Sequence, residues 1–252
     1  MDKMADILAT IPIPSGITEA DYVAVEPKID AVRAFARIAY QGIFIADLHR
    51  DNFLFVSSNP LVLLGHSTNE VMKGGYHFLL DNAPSEDQDA MAEVVVATFN
   101  AQHTLKLNGL FEYSISCNFH FLLNNRPVLV NHKITPLALD AKGNVWLALC
   151  LVSHSSHNSI GHITATMDNS STGFRYSFSE HCWVKQQSKV ELSPDERTML
   201  YLTAQGFTMR EIGEQMFRSL DTVKMYRKRV FTKLGVSNIT EALAYATSYH
   251  LL

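Results

Sequence analysis

Cysteine is scarce in this chain, and long apolar runs are missing. The 252 residues include three cysteines, an odd and scattered set that argues against a disulfide framework and fits a reducing compartment. The longest apolar run, residues 145–152, has eight residues, whereas a membrane-spanning helix needs roughly 18. The amino terminus lacks a basic stretch followed by a sustained apolar segment, so no secretory signal is expected. These absences predict a cytoplasmic protein with no membrane partner.

Charge is also limited, and it is unevenly distributed. Charged residues make up 18% of the chain and apolar residues 47%, a composition typical of a folded protein large enough for two cores. Residues 190–252 carry eight Lys/Arg against seven Asp/Glu, a net charge of +1. Because the whole chain has a net charge of −4, residues 1–189 have a net charge of −5. Only the C-terminal part is therefore suited to a polyanionic partner.

Four short helices are predicted in this C-terminal part, because their ends are marked by capping residues. Three starts show a capping box, in which a side-chain acceptor is followed three residues later by glutamate. The pairs are Ser193 with Glu196, Thr208 with Glu211, and Asn238 with Glu241. Gly206 and Gly235 are predicted to end two of the helices in the left-handed conformation. Ser219 is predicted to cap the third helix, which runs from about Leu220 to Leu234.

The third helix has an apolar side and a cationic side. The apolar side groups Val223, Tyr226, Val230 and Leu234; the polar side groups Asp221, Lys224, Met225, Lys228 and Thr232, with Arg227 and Arg229 flanking. Between residues 218 and 233 there are six positive charges and one negative charge. A solvated surface helix normally mixes both signs, so this bias favours binding to phosphates. An ordinary basic surface helix is the alternative, which the surrounding helix-turn-helix pattern disfavours.

The segment resembles the C-terminal helix-turn-helix of LuxR/FixJ-type transcription regulators. The matches are Leu192-Ser193-Pro194, Glu196, Gly206, Arg210-Glu211-Ile212, Ser219, Thr222-Val223-Lys224, Lys233-Leu234-Gly235-Val236 and Glu241-Ala242. The resemblance implies that Lys224, Met225 and Lys228 face base edges and that Arg210, Thr222 and Arg227 lie near the sugar-phosphate backbone; Ser219 and Lys233 complete the expected DNA-binding set. It also implies double-stranded DNA as partner, a homodimer, and contact with RNA polymerase.

Two residues depart from that family pattern. Tyr226 stands where the family often has histidine, and Arg218 stands where an aliphatic residue usually fills the core. Arg218 is expected either to run its methylenes over the core and send its guanidinium towards phosphate, or to distort the turn. The fourth helix, about Ile239 to Tyr249, carries an apolar stripe that serves either a dimer contact or the core of the domain itself.

The preceding half has the element order of a PAS domain, which it resembles. Strands GIFIADLH and FLFVSS come first, followed by short helices near Pro60–Leu64, Asn69–Lys73 and Tyr76–Leu80, and a longer one near Ser85–Gln102. Ser67 with Glu70 and Ser85 with Gln88 are predicted capping boxes. Three long strands follow, near Leu107–Leu123, Arg126–Leu139 and Asn144–His154. The segment FVSSNPLVLLGHSTNEVMKGGYHFLLDNAPSEDQDAM carries the resemblance, which implies a five-stranded antiparallel sheet with helices over one face and a core that is packed solid or holds a ligand.

Two further segments are predicted to frame this half. A helix over about Ile29–Tyr40 has an apolar face that either pairs with a second copy or docks on its own sheet. After residue 155, HITATMDN and FRYSFSEHCWV predict a small hairpin, which either bridges to the DNA-binding part or serves as a spacer. The fold class expected is α+β: a PAS-like five-stranded antiparallel sheet with helices, plus an all-α four-helix helix-turn-helix domain. The segments expected are 1–40, 41–155, 156–189 and 190–252.

Catalytic and metal chemistry finds little support in the sequence. Cys117 and His120 lie three apart on a predicted strand and so point to opposite faces, and the pair at 154 and 157 lacks further ligands. His103 is the one weak candidate for a haem ligand, and no glycine-rich phosphate loop occurs. We therefore expect no enzyme activity, no metal and no cofactor, and any small-molecule ligand of the PAS-like part is unknown.

We therefore expect a sequence-specific DNA-binding transcription regulator. Its helix 220–234 is expected to read the DNA, and its PAS-like part is expected to control binding. Two alternatives stay open. One is a phosphorylation-driven response regulator, since Asp47 follows the apolar segment GIFIA as a phosphoryl-accepting aspartate would, although three long strands with short turns do not suit its parallel sheet. The other is a PAS protein whose C-terminal helices bind a protein instead of DNA.

Overall fold

The computed structural model describes residues 10–105, 113–167, 173–186, 190–248 and 251–252. Contacts divide the chain into two units, Met1–Gln187 and Ser188–Leu252. The helices are α1 (Glu19–Ala36), α2 (Pro60–Leu63), α3 (Thr68–Asp81), α4 (Gln88–Thr104), α5 (Pro194–Ala204), α6 (Met209–Gln215), α7 (Leu220–Leu234) and α8 (Ile239–Ser248). The strands are β1 (Gly42–Asp47), β2 (Asn52–Val56), β3 (Tyr113–Leu123), β4 (Arg126–Leu139), β5 (Val145–His154), β6 (Gly161–Met167), β7 (Gly173–Ser177) and β8 (Cys182–Gln186). The expected α+β class is confirmed.

One antiparallel sheet forms the frame of the N-terminal unit, with strand order β2-β1-β5-β4-β3-β6-β7-β8. Its first five strands are the PAS-like sheet that the sequence predicts. β6 extends this sheet by pairing residues 164–167 with residues 113–116 of β3. The segment predicted as a separate hairpin is therefore part of the same sheet. The prediction of one strand over FRYSFSEHCWV was wrong, because a turn at residues 178–181, with His181 at φ 49°, divides it into β7 and β8.

The three long strands lie close to their predicted bounds. β4 has the predicted ends, and β5 begins one residue later than predicted. The predicted start of β3 at Leu107 lies outside the described residues. Between β3 and β4, Asn124 and Asn125 take positive φ values of 52° and 59°, a conformation that asparagine tolerates better than most residues. This tight turn sets the β3–β4 register.

Helices α2, α3 and α4 contribute to the main core of the unit together with one face of the sheet. The two short helices predicted at Asn69–Lys73 and Tyr76–Leu80 are joined as α3, with a break at Gly75 (φ 55°, ψ −142°). A Cβ at Gly75 would lie 2.8 Å from the carbonyl oxygen of Asp51. Glycine is therefore needed where this helix passes the β1–β2 turn.

One of the two capping boxes predicted in this unit is confirmed and the other is wrong. Ser67 caps α3 reciprocally with Glu70. Helix α4 instead begins at Gln88, without a side-chain cap, and Ser85 lies ahead of it. The amide of Gln88 donates to the carbonyl oxygen of Ala83 at 3.4 Å. Gln88 thus bonds the preceding turn and is not part of a capping box.

Helix α1 covers the opposite face of the sheet. It begins ten residues earlier than predicted, because Thr18 and Asp21 form a capping box, and it continues through Pro27, a residue that ordinarily marks a helix boundary. Its buried side, Val25, Ile29 and Val32, packs against Ile43, Ile45, Ala138, Trp146 and Leu147. The apolar side therefore docks on its own sheet, whereas Phe35, expected on that side, is 48% exposed.

The C-terminal unit has the four helices that the sequence predicts, with the predicted caps at three starts. The reciprocal boxes Ser193/Glu196 and Thr208/Glu211 and the Ser219 cap are present, and Gly235 ends α7 in the left-handed conformation. At the fourth start, Asn238 Oδ1 accepts from the backbone of Glu241, whose carboxylate accepts from the backbone N–H of Ser237. In the described part of the chain, no helix is long and apolar enough to cross a membrane.

Candidate nucleic-acid interface

Helix α7 is held in the C-terminal unit by four side chains on one side. Val223, Tyr226, Val230 and Leu234 are buried, as the helical wheel predicts, and they share a core with Met199, Leu200 and Ile212. Burial of side chains of this size contributes about 1.5–3 kcal/mol each. This anchoring fixes which side of α7 is left to solvent.

The opposite side of α7 is exposed and carries the cations. The Lys224 side chain is 59% exposed, Met225 is 39% exposed, and Lys228 is exposed. These three residues, expected at base edges, share one surface because Lys228 lies four residues after Lys224 and three residues after Met225 along the helix. Arg227 and Arg229 flank that surface and are also exposed.

The cations on this surface differ in how far their charge is already satisfied. Lys224 Nζ lies 3.5 Å from Asp221, and the Arg227 guanidinium lies over the Phe231 ring at 5.2 Å. Among the described residues, Lys228 and Arg229 have no ion-pair partner. These two side chains are therefore best placed to neutralise an external phosphate.

Ser219 and Thr222 lie at the amino end of α7, and Arg210 lies on the preceding helix. Arg210 is exposed on the first turn of α6. The Ser219 hydroxyl accepts the backbone N–H of Thr222 at 3.2 Å and lies 2.9 Å from its hydroxyl. The Ser219 hydroxyl thus caps the helix, and the helix terminus beside it offers partly positive N–H groups to an anion.

Lys233, also expected to bind DNA, has a partner within its own unit. Its Nζ lies 2.6 Å from Glu196 Oε2 and 3.1 Å from the carbonyl oxygen of Glu191. Burial acts to raise the pKa of Glu196, but hydrogen bonds from Lys233 and Ser193 outweigh it and hold that pKa below its ordinary value. Lys233 therefore ties the carboxyl end of α7 to α5, and a DNA contact by it stays a prediction.

The two departures from the family pattern meet on one carboxylate, which sequence reasoning missed. Tyr226 donates its hydroxyl to Asp195 Oδ2 at 2.5 Å, and Arg218 Nη2 lies 3.4 Å from the same oxygen. The Tyr226 hydroxyl and then Arg218 lower the pKa of Asp195. Contrary to the phosphate-facing expectation, Arg218 thus turns towards α5. No local signal in the sequence predicts this contact, because Asp195 lies 23 positions before Arg218 and 31 positions before Tyr226.

The turn between α6 and α7 has a close backbone approach at Gly213. A Cβ there would lie 2.8 Å from the carbonyl oxygen of Arg218, so glycine is needed where the turn crosses α6. In the same turn Phe217 takes φ 54° and is 92% exposed. The ring therefore adds an apolar group to the solvent side of the turn.

The apolar stripe of α8 contributes to the core of its own unit. Ala242 and Ala246 are fully buried, and Ile239 and Leu243 are partly buried against the same core. Of the two functions predicted for this stripe, packing within the unit is the one that the structure shows.

The described interior of the N-terminal unit contains a cluster of aromatic side chains. Phe44, Phe53, Tyr76, Phe99, Phe119 and His132 form its aromatic centre. A residual void of about 10 Å³, roughly one water, is lined by residues that include Thr98, whose buried hydroxyl has no hydrogen-bond partner among the described residues. Burial lowers the pKa of His132 to about 3, so its imidazole is neutral. No cluster of three potential metal ligands occurs within the described ranges.

Comparison with known proteins matches the segment that contains this surface. Residues 190–246 match the family model of bacterial regulatory proteins, luxR family. Residues 190–246 form a LuxR-family domain. Over 63 residues the chain is 40% identical to the DNA-binding transcriptional activator DevR/DosR of Mycobacterium tuberculosis, and over 61 residues it is 41% identical to the transcriptional regulatory protein LiaR of Bacillus subtilis. The matches cover 25% and 24% of this chain and 29% of each relative, so the likeness is confined to the LuxR-family domain.

Structural overlap extends further along the chain. The alignment with the crystal structure of the phage VqmA–DPO complex covers 90% of this chain and 90% of the VqmA chain, with 17% sequence identity and a TM-score of 0.34. A VqmA dimer of Vibrio cholerae covers 87% of this chain and 86% of its own, with 13% identity and a TM-score of 0.34.

Proposed function

We propose that this protein is a transcription regulator that reads double-stranded DNA with α7 of its LuxR-family domain. The observation that carries the proposal is the exposed cationic side of α7, which lies opposite a fully packed apolar side. A helix of this kind fits the major groove, where side chains reach base edges while neighbouring cations contact phosphates. The family match of the same residues supports this function independently of the charge pattern.

The proposed contacts are those that the resemblance to LuxR/FixJ-type regulators implies for the matching positions. Lys224, Met225 and Lys228 face base edges, and Arg227, Arg210 and Thr222 lie along the sugar-phosphate backbone. Ser219 presents the capped end of α7 to a phosphate, and Lys233 contributes at the other end only if its bond to Glu196 is shared. Two copies are proposed to bind paired half-sites, because helix-turn-helix domains ordinarily bind DNA that way. In this proposal the PAS-like unit controls binding, and a bound regulator contacts RNA polymerase.

The proposal is tested with DNA fragments that the full-length protein selects from a random pool. Lys228→Ala is expected to weaken binding to a selected site by about 1–3 kcal/mol and to relax base preference at one position, as loss of a base contact does. Arg229→Ala removes a flanking cation and should weaken all sequences evenly, with a shallower salt dependence. Arg197→Ala on α5 removes an equal charge outside this surface and serves as the matched control.

The outcomes separate the alternatives. If Lys228→Ala leaves both affinity and base preference unchanged, α7 does not read DNA. If no salt-dependent DNA binding is found, the alternative in which the C-terminal helices bind a protein is favoured. The described fold does not support the response-regulator alternative. Every strand pair that the structure describes is antiparallel, and the buried Asp47 carboxylate accepts a hydrogen bond from the Tyr22 hydroxyl at 2.7 Å.

A further inference from the structure

A cleft of about 630 Å³ lies between α4 and the β7–β8 strands of the N-terminal unit. Its described lining combines apolar, aromatic and acidic groups, among them Asp89, Glu93, Val96, Ala97, Tyr176 and Trp183. None of these residues is shared with the lining of the void beside Thr98 in the core. The volume falls within the range of about 300–1,000 Å³ that is typical of small-molecule sites.

The aromatic wall of the cleft is formed by Tyr176 and Trp183. Their ring centroids are 5.5 Å apart at an interplanar angle of 74°. The two rings belong to paired strands, with Tyr176 directly opposite Trp183 in the register. Both are only partly buried, so the pair combines a fixed position with a surface that a ligand can reach.

Glu93 places a carboxylate beside that wall. Its Oε1 accepts the Tyr176 hydroxyl at 2.9 Å and lies 2.7 Å from His181 Nδ1. Among the described residues no hydrogen bond reaches its Oε2, and the side chain is only 27% exposed. Asp89, one helical turn earlier, adds a second carboxylate to the lining, which among the described residues contains no lysine or arginine. The cleft therefore has two acids and one histidine.

We propose that this cleft binds a small organic ammonium ion, with the cation between Glu93 and the faces of Trp183 and Tyr176. An ammonium group over an aromatic face is attracted by the ring quadrupole, and a half-buried carboxylate strengthens that attraction. The apolar side chains Val96 and Ala97 accommodate the body of the ligand. Bound there, the ligand links α4 to β8, the last strand that the structure describes ahead of the LuxR-family domain in the chain.

The test uses choline and its uncharged carbon isostere, dimethylbutanol, titrated into the full-length protein. Calorimetry should show that choline binds about tenfold or more tightly than the isostere, since only the charge differs. Tryptophan fluorescence should change on binding, because Trp183 lies in the cleft whereas the only other tryptophan, Trp146, is 3% exposed in the core. All titrations are done without DNA, so their outcome is independent of the proposed DNA binding.

Three variants assign the binding to the cleft. Glu93→Gln keeps an oxygen acceptor for Tyr176 and should weaken choline binding by about tenfold or more. Trp183→Leu should weaken it and abolish the fluorescence change. Glu86→Gln, an exposed acid ahead of α4 and outside the cleft, should leave binding unchanged. Equal binding of choline and the isostere, an unaffected Glu93→Gln variant, or no binding of choline up to roughly ten millimolar would each overturn the proposal.

Discussion

The two units of this chain treat their buried polar groups differently. In the LuxR-family domain Glu196 and Glu241 are buried, and both carboxylates accept hydrogen bonds from cap residues, with Lys233 added at Glu196. In the N-terminal unit, the buried side-chain atoms that have no hydrogen-bond partner among the described residues include Thr98 Oγ1, Asn118 Nδ2 and His132 Nε2. A buried polar group without a hydrogen-bond partner lowers the free energy of unfolding by about 1–3 kcal/mol. The N-terminal unit therefore retains polar groups that destabilise it.

The difference fits a division of labour between the units. A domain that presents a fixed surface to DNA benefits from buried charges that are all bonded, because these bonds hold α5 and α7 in one arrangement. Under the proposed function, in which the N-terminal unit controls DNA binding, its interior polar groups can gain hydrogen-bond partners in a second conformation. The tests below address this contrast, beginning with the largest expected change.

Removing the cation that bonds Glu196 should destabilise the LuxR-family domain most. Lys233→Met keeps the side-chain length but leaves the buried carboxylate with its cap bonds alone, so the free energy of unfolding should fall by about 1–3 kcal/mol. Hydrogen exchange of amides in α5 and α7 reports this loss for that unit alone.

Arg229→Met is the matched control for that variant, because Arg229 lies exposed on the same helix without a described ion-pair partner. Its effect should stay within about 0.5 kcal/mol. Combining Lys233→Met with Glu196→Gln should destabilise less than the sum of the single changes. If the two losses are additive, Lys233 and Glu196 are not energetically coupled. The proposed contrast between the two parts of the chain would then be wrong for this pair.

The bonded arrangement of the LuxR-family domain could be predicted only in part from sequence. Caps are local, so the starts of α5, α6 and α7 and the cationic side of α7 follow from spacing alone. The Asp195 contact joins residues 23 and 31 positions away in the chain, and no local pattern predicts it. The solvent side of the interface was therefore predictable, whereas the bonds that position it were not.

In the N-terminal unit, contacts distant in sequence determine more of the structure. The break in α3 depends on Gly75 meeting the turn at Asp51, and the addition of β6 to the PAS-like sheet depends on its pairing with β3. Tertiary contacts of this kind override the local signals on which the sequence prediction was based.

The stabilities of the two units should also differ in their dependence on pH. The pKa of His132 is about 3 in the folded unit and about 6.5 when unfolded, so below pH 6.5 the unfolded state binds a proton that the folded state does not. Stability should fall by roughly 1 kcal/mol per pH unit between those values. In the LuxR-family domain the pKa values of Asp195 and Glu196 are lowered, so their contribution persists until the pH falls below their ordinary values near 4.

The measurement is hydrogen exchange of β4 and α7 between pH 7 and pH 5, corrected for the intrinsic rate. His132→Leu should flatten the loss in β4 without changing α7, because leucine binds no proton and fits an apolar site flanked by Phe44 and Phe119. An unchanged acid dependence in His132→Leu would assign the effect to other groups and remove the contrast.

Tyr226→Phe should change DNA affinity least. It tests whether the Tyr226 hydroxyl only positions α7 or itself contacts DNA. Phenylalanine keeps the buried ring but loses the hydroxyl bond to Asp195, while Arg218 still reaches that carboxylate. DNA affinity should therefore fall less than in Lys228→Ala, with base preference unchanged, because α7 is held less firmly but keeps every proposed DNA contact. Asp195→Asn should behave alike, since both changes weaken the same bond. If Tyr226→Phe instead alters base preference as Lys228→Ala does, the hydroxyl itself reaches DNA, and the packed side of α7 is not the purely structural side proposed above.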